Sequence, residues 1–253
     1  MKVYFVGAGP GDPELLTVKA RRLLGTARLC IYAGSLVNPE LLHLLPPAAE
    51  RHDSAAMNLG EIVDLFKEAR RRQIDVVRLH TGEPSIYGAI GEQMDALDQL
   101  QIDYEVVPGI SAFQAAAAAL RVELTAPEIA QTVILTRVPG RTPMPASENL
   151  SRLAESHATL CIFLSTDRVA ELTGTLAEHY GPDCPAALVY HASWPDEKTI
   201  RGTLADLAAR VAAEGITKTA ILLVGYALAR PAPHVSKLYD KTFEHGYRHG
   251  AST

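Results

Sequence analysis

Three short stretches combine glycine and proline with residues able to touch a ligand: Gly7-Ala8-Gly9-Pro10-Gly11-Asp12, His80-Thr81-Gly82-Glu83-Pro84-Ser85-Ile86-Tyr87-Gly88 and Val107-Pro108-Gly109-Ile110-Ser111. Irregular Gly-Pro bends of this kind bring backbone groups close to a bound molecule, and several meeting at one rim form a ligand site more often than plain turns. The first invites comparison with the dinucleotide fingerprint G-x-G-x-x-G and departs from it. Asp12 stands where the third glycine belongs, and Pro10 has no N–H to offer a pyrophosphate. No acidic residue ends the second expected strand to hold a ribose; Ala33-Gly34-Ser35 is there instead. An ordinary tight turn is the plain alternative for this loop taken alone. Glu83 brings a carboxylate that either faces a cation or accepts hydrogen bonds from its own loop. Three histidines, His52, His80 and His191, are candidates for a base, and His80 lies beside the second loop. Cys30, Cys161 and Cys184 are far apart and show no C-x-x-C spacing, so neither a metal site nor a redox pair is read from them.

The elements that carry these loops follow from periodicity. Apolar runs rich in β-branched residues alternate with segments of helical period, which gives an α/β fold with largely parallel sheets. The first half reads as strands over 2–6, 28–32, 75–79 and 104–107, with helices over 15–24, 59–72, 90–100 and 112–120. All three glycine loops then leave the carboxyl ends of strands, the side on which open α/β sheets bind ligands. Ser111 is placed to cap the helix that follows it. After Leu120 the apolar period lapses and Pro127 disfavours helix at Ala126, which sets a domain boundary. Residues 1–120 form an amino-terminal α/β domain and 121–245 a carboxy-terminal one. The second half reads as strands over 131–136, 159–164, 186–190 and 220–224, with helices over 148–155, 167–179 and 204–213. Between them, a proline-rich run after Thr136 is a spacer or a lid. The tail 246–253 has nothing to bury and is expected to be disordered.

At 253 residues the chain buries a sizeable core without disulfides or a structural metal. Its composition, 47% hydrophobic and 21% charged, is that of a globular protein, and no apolar run approaches the ~20 residues of a membrane span. The net charge of −5 argues against indiscriminate nucleic-acid binding but leaves room for a local basic pocket. The first residues read as a strand entering a glycine turn rather than a signal peptide, so a cytoplasmic location is expected.

Taken together, the loops resemble those of the S-adenosylmethionine (SAM)-dependent tetrapyrrole methylases, which carry a GAGPGD-type first loop, a GDP- or GEP-type second and a VPG[IV][ST] third. The resemblance runs from Val3 to about Lys237. Within that family, Tyr32-Ala-Gly-Ser-Leu-Val37, Gly82-Glu-Pro-Ser-Ile-Tyr-Gly-Ala-Ile-Gly-Glu-Gln93, Thr132-Val-Ile-Leu-Thr-Arg137 with Gly140-Arg-Thr-Pro143, and Trp194-Pro-Asp-Glu-Lys198 are similar to the precorrin-4 C11-methyltransferases. The resemblance implies two domains with a ligand cleft between them. It implies SAM as methyl donor, S-adenosylhomocysteine as product and a homodimer. Carried over position by position, it implies cofactor contacts at Pro10, Thr81, Gly82, Glu83 and Ile86, at Ser111 and Ala112, and at Leu164, Ala192 and Ala220.

Methyl transfer from SAM is an in-line displacement that chiefly requires alignment in a dry, shaped site. Relatives that methylate uroporphyrinogen carry an aspartate where this chain has Ala33, so no base is expected at that position. A polycarboxylate corrin precursor needs local cations, for which Arg137 and Arg141 are the expected clamps, and Tyr87 is expected to orient the ring. Whether the substrate is precorrin-4 or cobalt-precorrin-4 stays open. Methylation of ribosomal RNA or of a diphthamide precursor, nicotinamide redox chemistry and a non-catalytic scaffold are the alternatives. The YAGSLV and WPDEK stretches, the charge balance and the failed fingerprint speak against the first three.

Overall fold

A computed structural model describes residues 1–34, 36–140, 142–229, 242–244 and 246–248. Ser35 and Arg141 lie outside the described residues, as do 249–253 of the expected disordered tail. The chain divides into two compact units: Met1–Ala116 with His191–Glu197, and Ala117–Tyr190 with the residues from Lys198 onward. No helix among the described residues is long and apolar enough to cross a membrane.

The first unit holds β1 (Lys2–Gly7), α1 (Val18–Thr26), β2 (Leu29–Tyr32), β3 (Glu50–Asp53), α2 (Leu59–Arg71), β4 (Val76–His80), α3 (Gly91–Gln99) and β5 (Asp103–Val107), and most of α4 (Ala112–Leu120). Its five strands are all parallel, in the order β3-β2-β4-β1-β5. Parallel strands joined through helices are covered on both faces, so their sequences read as nearly continuous apolar runs. Side chains still alternate. Val3, Phe5, Leu29, Ile31 and Val76 pack with Ile62 and Phe66 of α2 and Leu97 of α3. Their neighbours Val6, Cys30, Val77 and Leu79 pack with Ala20, Leu23 and Leu24 of α1 on the other face. Cys30 is fully buried and its thiol pushed up to about 12, chiefly by that burial.

Capping fixes where the helices start. The expected helix over 15–24 is a 3₁₀ turn, Pro13–Leu15, followed by α1, because the Thr17 hydroxyl accepts from the Ala20 amide at 3.1 Å and sets a fresh start. Asn58 and Glu61 form a reciprocal capping box on α2. At α4 the bond runs opposite to expectation: the Ser111 amide donates to Gln114 Oε1 at 2.9 Å.

The second unit holds β6 (Val133–Arg137), α5 (Leu150–Ala154), β7 (Thr159–Phe163), α6 (Val169–Tyr180), β8 (Pro185–Tyr190), β9 (Lys198–Thr203), α7 (Leu207–Ala213) and β10 (Ala220–Val224). The order is β6-β7-β10-β8-β9. Only β6–β7 is parallel here; β7–β10, β10–β8 and β8–β9 are antiparallel. Across both sheets parallel pairings still predominate, and the fold is α/β with two sheets. Leu160, Ile162, Leu188 and Leu222 form its core with Leu172 and Leu176 of α6 and Leu207 of α7.

Candidate functional site

In the first unit β1 is flanked by β4 and β5, so the three glycine loops leave adjacent strand tips. They touch through glycines. A Cβ on Gly7 would lie 2.5 Å from the Gly109 Cα and 2.6 Å from the Gly82 carbonyl, and one on Gly109 would overlap that same carbonyl. Gly9 and Gly82 exchange backbone bonds at 3.3 and 2.9 Å, and the Ala8 amide donates to the His80 carbonyl at 2.7 Å. Only residues without side chains permit this approach.

Glu83 ties the second loop to the third. Its Oε1 accepts from the Ser85 amide at 3.0 Å and the Ser85 hydroxyl at 2.7 Å, and its Oε2 accepts from the Gly109 amide at 2.7 Å. Partial burial works against ionisation, yet those three bonds outweigh it and hold the carboxyl below its usual range. Of the two readings of Glu83, bonding to loop N–H groups is the one its geometry adopts. Behind this loop Arg78, 5% exposed, donates from Nε to Gln93 Oε1 at 3.0 Å and from Nη1 to the Ile31 carbonyl at 3.3 Å. Gln93 in turn donates to the Ala89 carbonyl at 2.9 Å. Burial lowers the Arg78 guanidinium to about 10. The chain this network steadies is strained: Tyr87 and Ala89 have φ of 57° and 48°.

The first loop is held by residues that no spacing rule indicated. The Trp194 indole N–H donates to the Pro10 carbonyl at 2.9 Å, Asn38 Nδ2 donates to the Gly11 carbonyl at 2.9 Å, and the Asp12 amide donates to Ser193 Oγ at 3.0 Å. Gly11 is required because a Cβ there would overlap the indole. Amides that a dinucleotide loop would present to phosphate, those of Ala8, Gly9 and Asp12, are thus consumed within the protein. The departure from the fingerprint is a structural fact as well as a sequence one. The segment 191–197 belongs to the first unit although β8 and β9 on either side of it do not. Its backbone is strained at His191 (φ 46°) and Ser193 (φ 69°), on either side of the buried Ala192. His191 Nδ1 faces both carboxylate oxygens of Asp196 at 2.9 and 3.0 Å, and its ring stacks on Trp194 with centroids 4.9 Å apart. The one sequence signal for this segment was the chain's single tryptophan inside the Trp194–Lys198 stretch.

His80 is 3% exposed, and burial, with Arg78 adding repulsion, lowers it to about 3, so its imidazole is neutral. That environment suits a core residue better than a base. His80 Nε2 and Thr81 Oγ1 are the two buried side-chain atoms that lack a hydrogen-bond partner among the described residues. Buried polar atoms nearly always find a partner, so two orphans in succession mark the second loop as fitted to a polar group from outside the chain. Pro10, Gly82 and Ser111 are buried, while Thr81, Glu83, Ile86 and Ala112 are partly exposed. A cavity of about 390 Å³ lined by Arg22, Arg28, Gln73 and Asp75 lies at the amino ends of β2 and β4, away from these loops.

In the second unit Leu164 and Ala220 lie at one end of the sheet, since β7 and β10 run antiparallel. The Thr166 hydroxyl donates to the Ala220 carbonyl at 3.1 Å. Leu164 is held at φ 52° with 65% of its surface exposed, an apolar side chain displayed on strained backbone. Arg137 donates to the carbonyls of Val138, Thr142 and Pro143 at 3.4, 3.2 and 2.8 Å, tying down the proline-rich loop. These three bonds leave part of its five-donor fork for a ligand. The other expected clamp, Arg141, lies outside the described residues.

Residues 2–208 match the model of the tetrapyrrole (corrin/porphyrin) methylases. The chain belongs to this family. Among similar methylases, the cobalt-precorrin-4 C(11)-methyltransferase of Methanocaldococcus jannaschii is 53% identical over 248 residues, 98% of this chain and 96% of the relative. The precorrin-4 C(11)-methyltransferase of Pseudomonas aeruginosa is 48% identical, covering 99% of this chain and 100% of the relative. Of solved structures, a cobalt precorrin-4 methyltransferase of cobalamin biosynthesis superposes with a TM-score of 0.87 at 45% identity, covering 90% of this chain and 95% of that one. The uroporphyrin-III C-methyl transferase of Thermus thermophilus, complexed with S-adenyl homocysteine, does so at 0.76 and 31% identity, covering 91% and 99%.

Proposed function

We propose that the protein transfers a methyl group from SAM to C11 of precorrin-4, giving precorrin-5 in cobalamin biosynthesis. The observation that carries this is full-length identity of about half to methylases named for that carbon. When bound, SAM supplies an electrophilic methyl on a sulfonium that leaves as a neutral thioether. The protein's part is to bind, orient and exclude water. In the first unit Pro10, Gly82 and Glu83 form the rigid floor for the cofactor, and Thr81 offers its unpartnered hydroxyl. Ile86, Ser111, Ala112 and Ala192 supply small or apolar walls suited to an adenosyl group. Leu164 and Ala220 are the remaining cofactor contacts that the family resemblance implies.

Tyr87, 44% exposed on the second loop, orients the macrocycle. Arg137 and Arg141 pair with its peripheral carboxylates. The enzyme acts as a cytoplasmic homodimer, a state that light scattering of the purified protein checks. Incubating it with methyl-labelled SAM and either precorrin-4 or cobalt-precorrin-4 tests the function and separates the two substrates. Transfer to one of them supports the proposal, and transfer to neither refutes it.

A further inference from the structure

We infer that the first unit binds one small monovalent anion, of the size of chloride, behind the second glycine loop, against the Arg78 guanidinium and Nε2 of His80. This site goes beyond methyl transfer and stands or falls separately from it. Arg78 and His80 alternate along β4 with Val77 and Leu79, which pack with α1, so both side chains are on the face that α2 and α3 cover. The His80 ring lies against Phe5 of that face, with centroids 5.9 Å apart. Alternate residues of a strand are about 7 Å apart, close enough for one ion to touch both side chains.

Three observations call for negative charge there. Arg78 is buried, and both bonds it donates go to neutral oxygens, those of the Gln93 carboxamide and the Ile31 carbonyl. A buried cation normally has an anionic partner, and among the described residues no carboxylate pairs with this one. His80 is buried as well, and its Nε2 has no partner among the described residues. The neutral ring carries one hydrogen, which an anion draws to Nε2. Finally, α3 starts at Gly91 without a side-chain cap, and Gln93 in its first turn is the residue bonded to Arg78. The positive end of that helix dipole thus lies close to a buried cation, and an anion beside both offsets the like charge. Exposures of 3% and 5% at His80 and Arg78 admit a monatomic ion and bar a cofactor or a macrocycle carboxylate. Neutralising Arg78 secures Gln93, which holds the Ala89 carbonyl, and so steadies the strained stretch from Tyr87 to Ala89.

The test uses the full chain with chloride as the probe, exchanged for the bulkier gluconate at constant ionic strength while Tm is measured, and crystals soaked in bromide. Chloride at about ten times its Kd should raise the wild-type Tm by about 3–6 °C over gluconate. Bromide should give an anomalous peak in contact with Arg78 and His80. Gln93→Glu supplies the negative charge from within; it gives up the bond to Ala89 and so shifts Tm in both salts, but the difference between the salts should vanish. His80→Phe keeps a ring against Phe5 and should reduce that difference. A wild-type Tm equal in both salts, a salt difference in Gln93→Glu as large as in wild type, or bromide bound only elsewhere would overturn the site. Wild-type protein that shows the salt difference yet transfers no methyl would leave the site standing and remove the proposed function alone.

Discussion

The indole N–H of Trp194 bonds the carbonyl of Pro10 at 2.9 Å, joining residues 184 positions apart in the chain. Through that bond the segment 191–197, which lies between β8 and β9 in the chain and belongs to the first unit, fixes the first glycine loop. Trp194→Phe keeps the ring and removes the donor, so the folded state should lose about 1 kcal/mol and SAM should bind about fivefold more weakly. Gly11→Ala forces the indole aside and should weaken SAM binding more than Trp194→Phe does. Calorimetric titration of both variants checks the order; equal affinity for wild type and Gly11→Ala would contradict it.

Glu83 offers a pH test. Its folded-state carboxyl is held below the usual 4.5, so its bonds to Ser85 and Gly109 contribute stability that is complete above that value and fades as pH falls through the depressed one. Glu83→Gln should therefore lower the urea midpoint at pH 7, and its gap to wild type should narrow as pH falls below 4.5. A destabilisation independent of pH would mean the charge plays no part.

His80 loses stability in the same direction, over a higher range of pH. Its folded value near 3 lies below the ordinary 6.5, so the unfolded chain takes up a proton that the folded one refuses, and stability declines as pH drops from about 6.5 towards 3. Its imidazole resonances should stay fixed between pH 5 and 8. A titration inside that window would show that the ring reaches solvent.

Gln93 is the main hydrogen-bond partner of a buried cation. Replacing it with Leu leaves the Arg78 guanidinium short of an acceptor and frees the Ala89 carbonyl, which should cost about 2–3 kcal/mol in chemical denaturation. Because Ala89 follows Tyr87 on strained backbone, weaker SAM binding should accompany the loss.

What could be read from the residues depended on burial. The central strands of the first sheet, apolar on both faces, were legible nearly to the residue. Both missed strands lie at edges. β3 is Glu-Arg-His-Asp, four polar residues with no apolar alternation, and β9 is a mostly exposed Lys-Thr-Ile-Arg-Gly-Thr. An edge strand forms because a neighbour offers free backbone groups, and that leaves little trace in side-chain type. With β9 unseen, the antiparallel character of the second sheet was unseen as well. The loops of the site were visible through glycine and proline, whereas their fasteners, Asn38, Ser193 and Trp194, act across long separations that periodicity does not encode.

The most direct test of the whole account is the position of the label after reaction of ¹³C-methyl SAM with precorrin-4 and, in parallel, with cobalt-precorrin-4. One labelled methyl per macrocycle on the quaternary carbon C11, with an equal amount of S-adenosylhomocysteine, is the predicted ¹³C NMR result. Label on another ring carbon, or bound SAM with no transfer to the macrocycle, would contradict it.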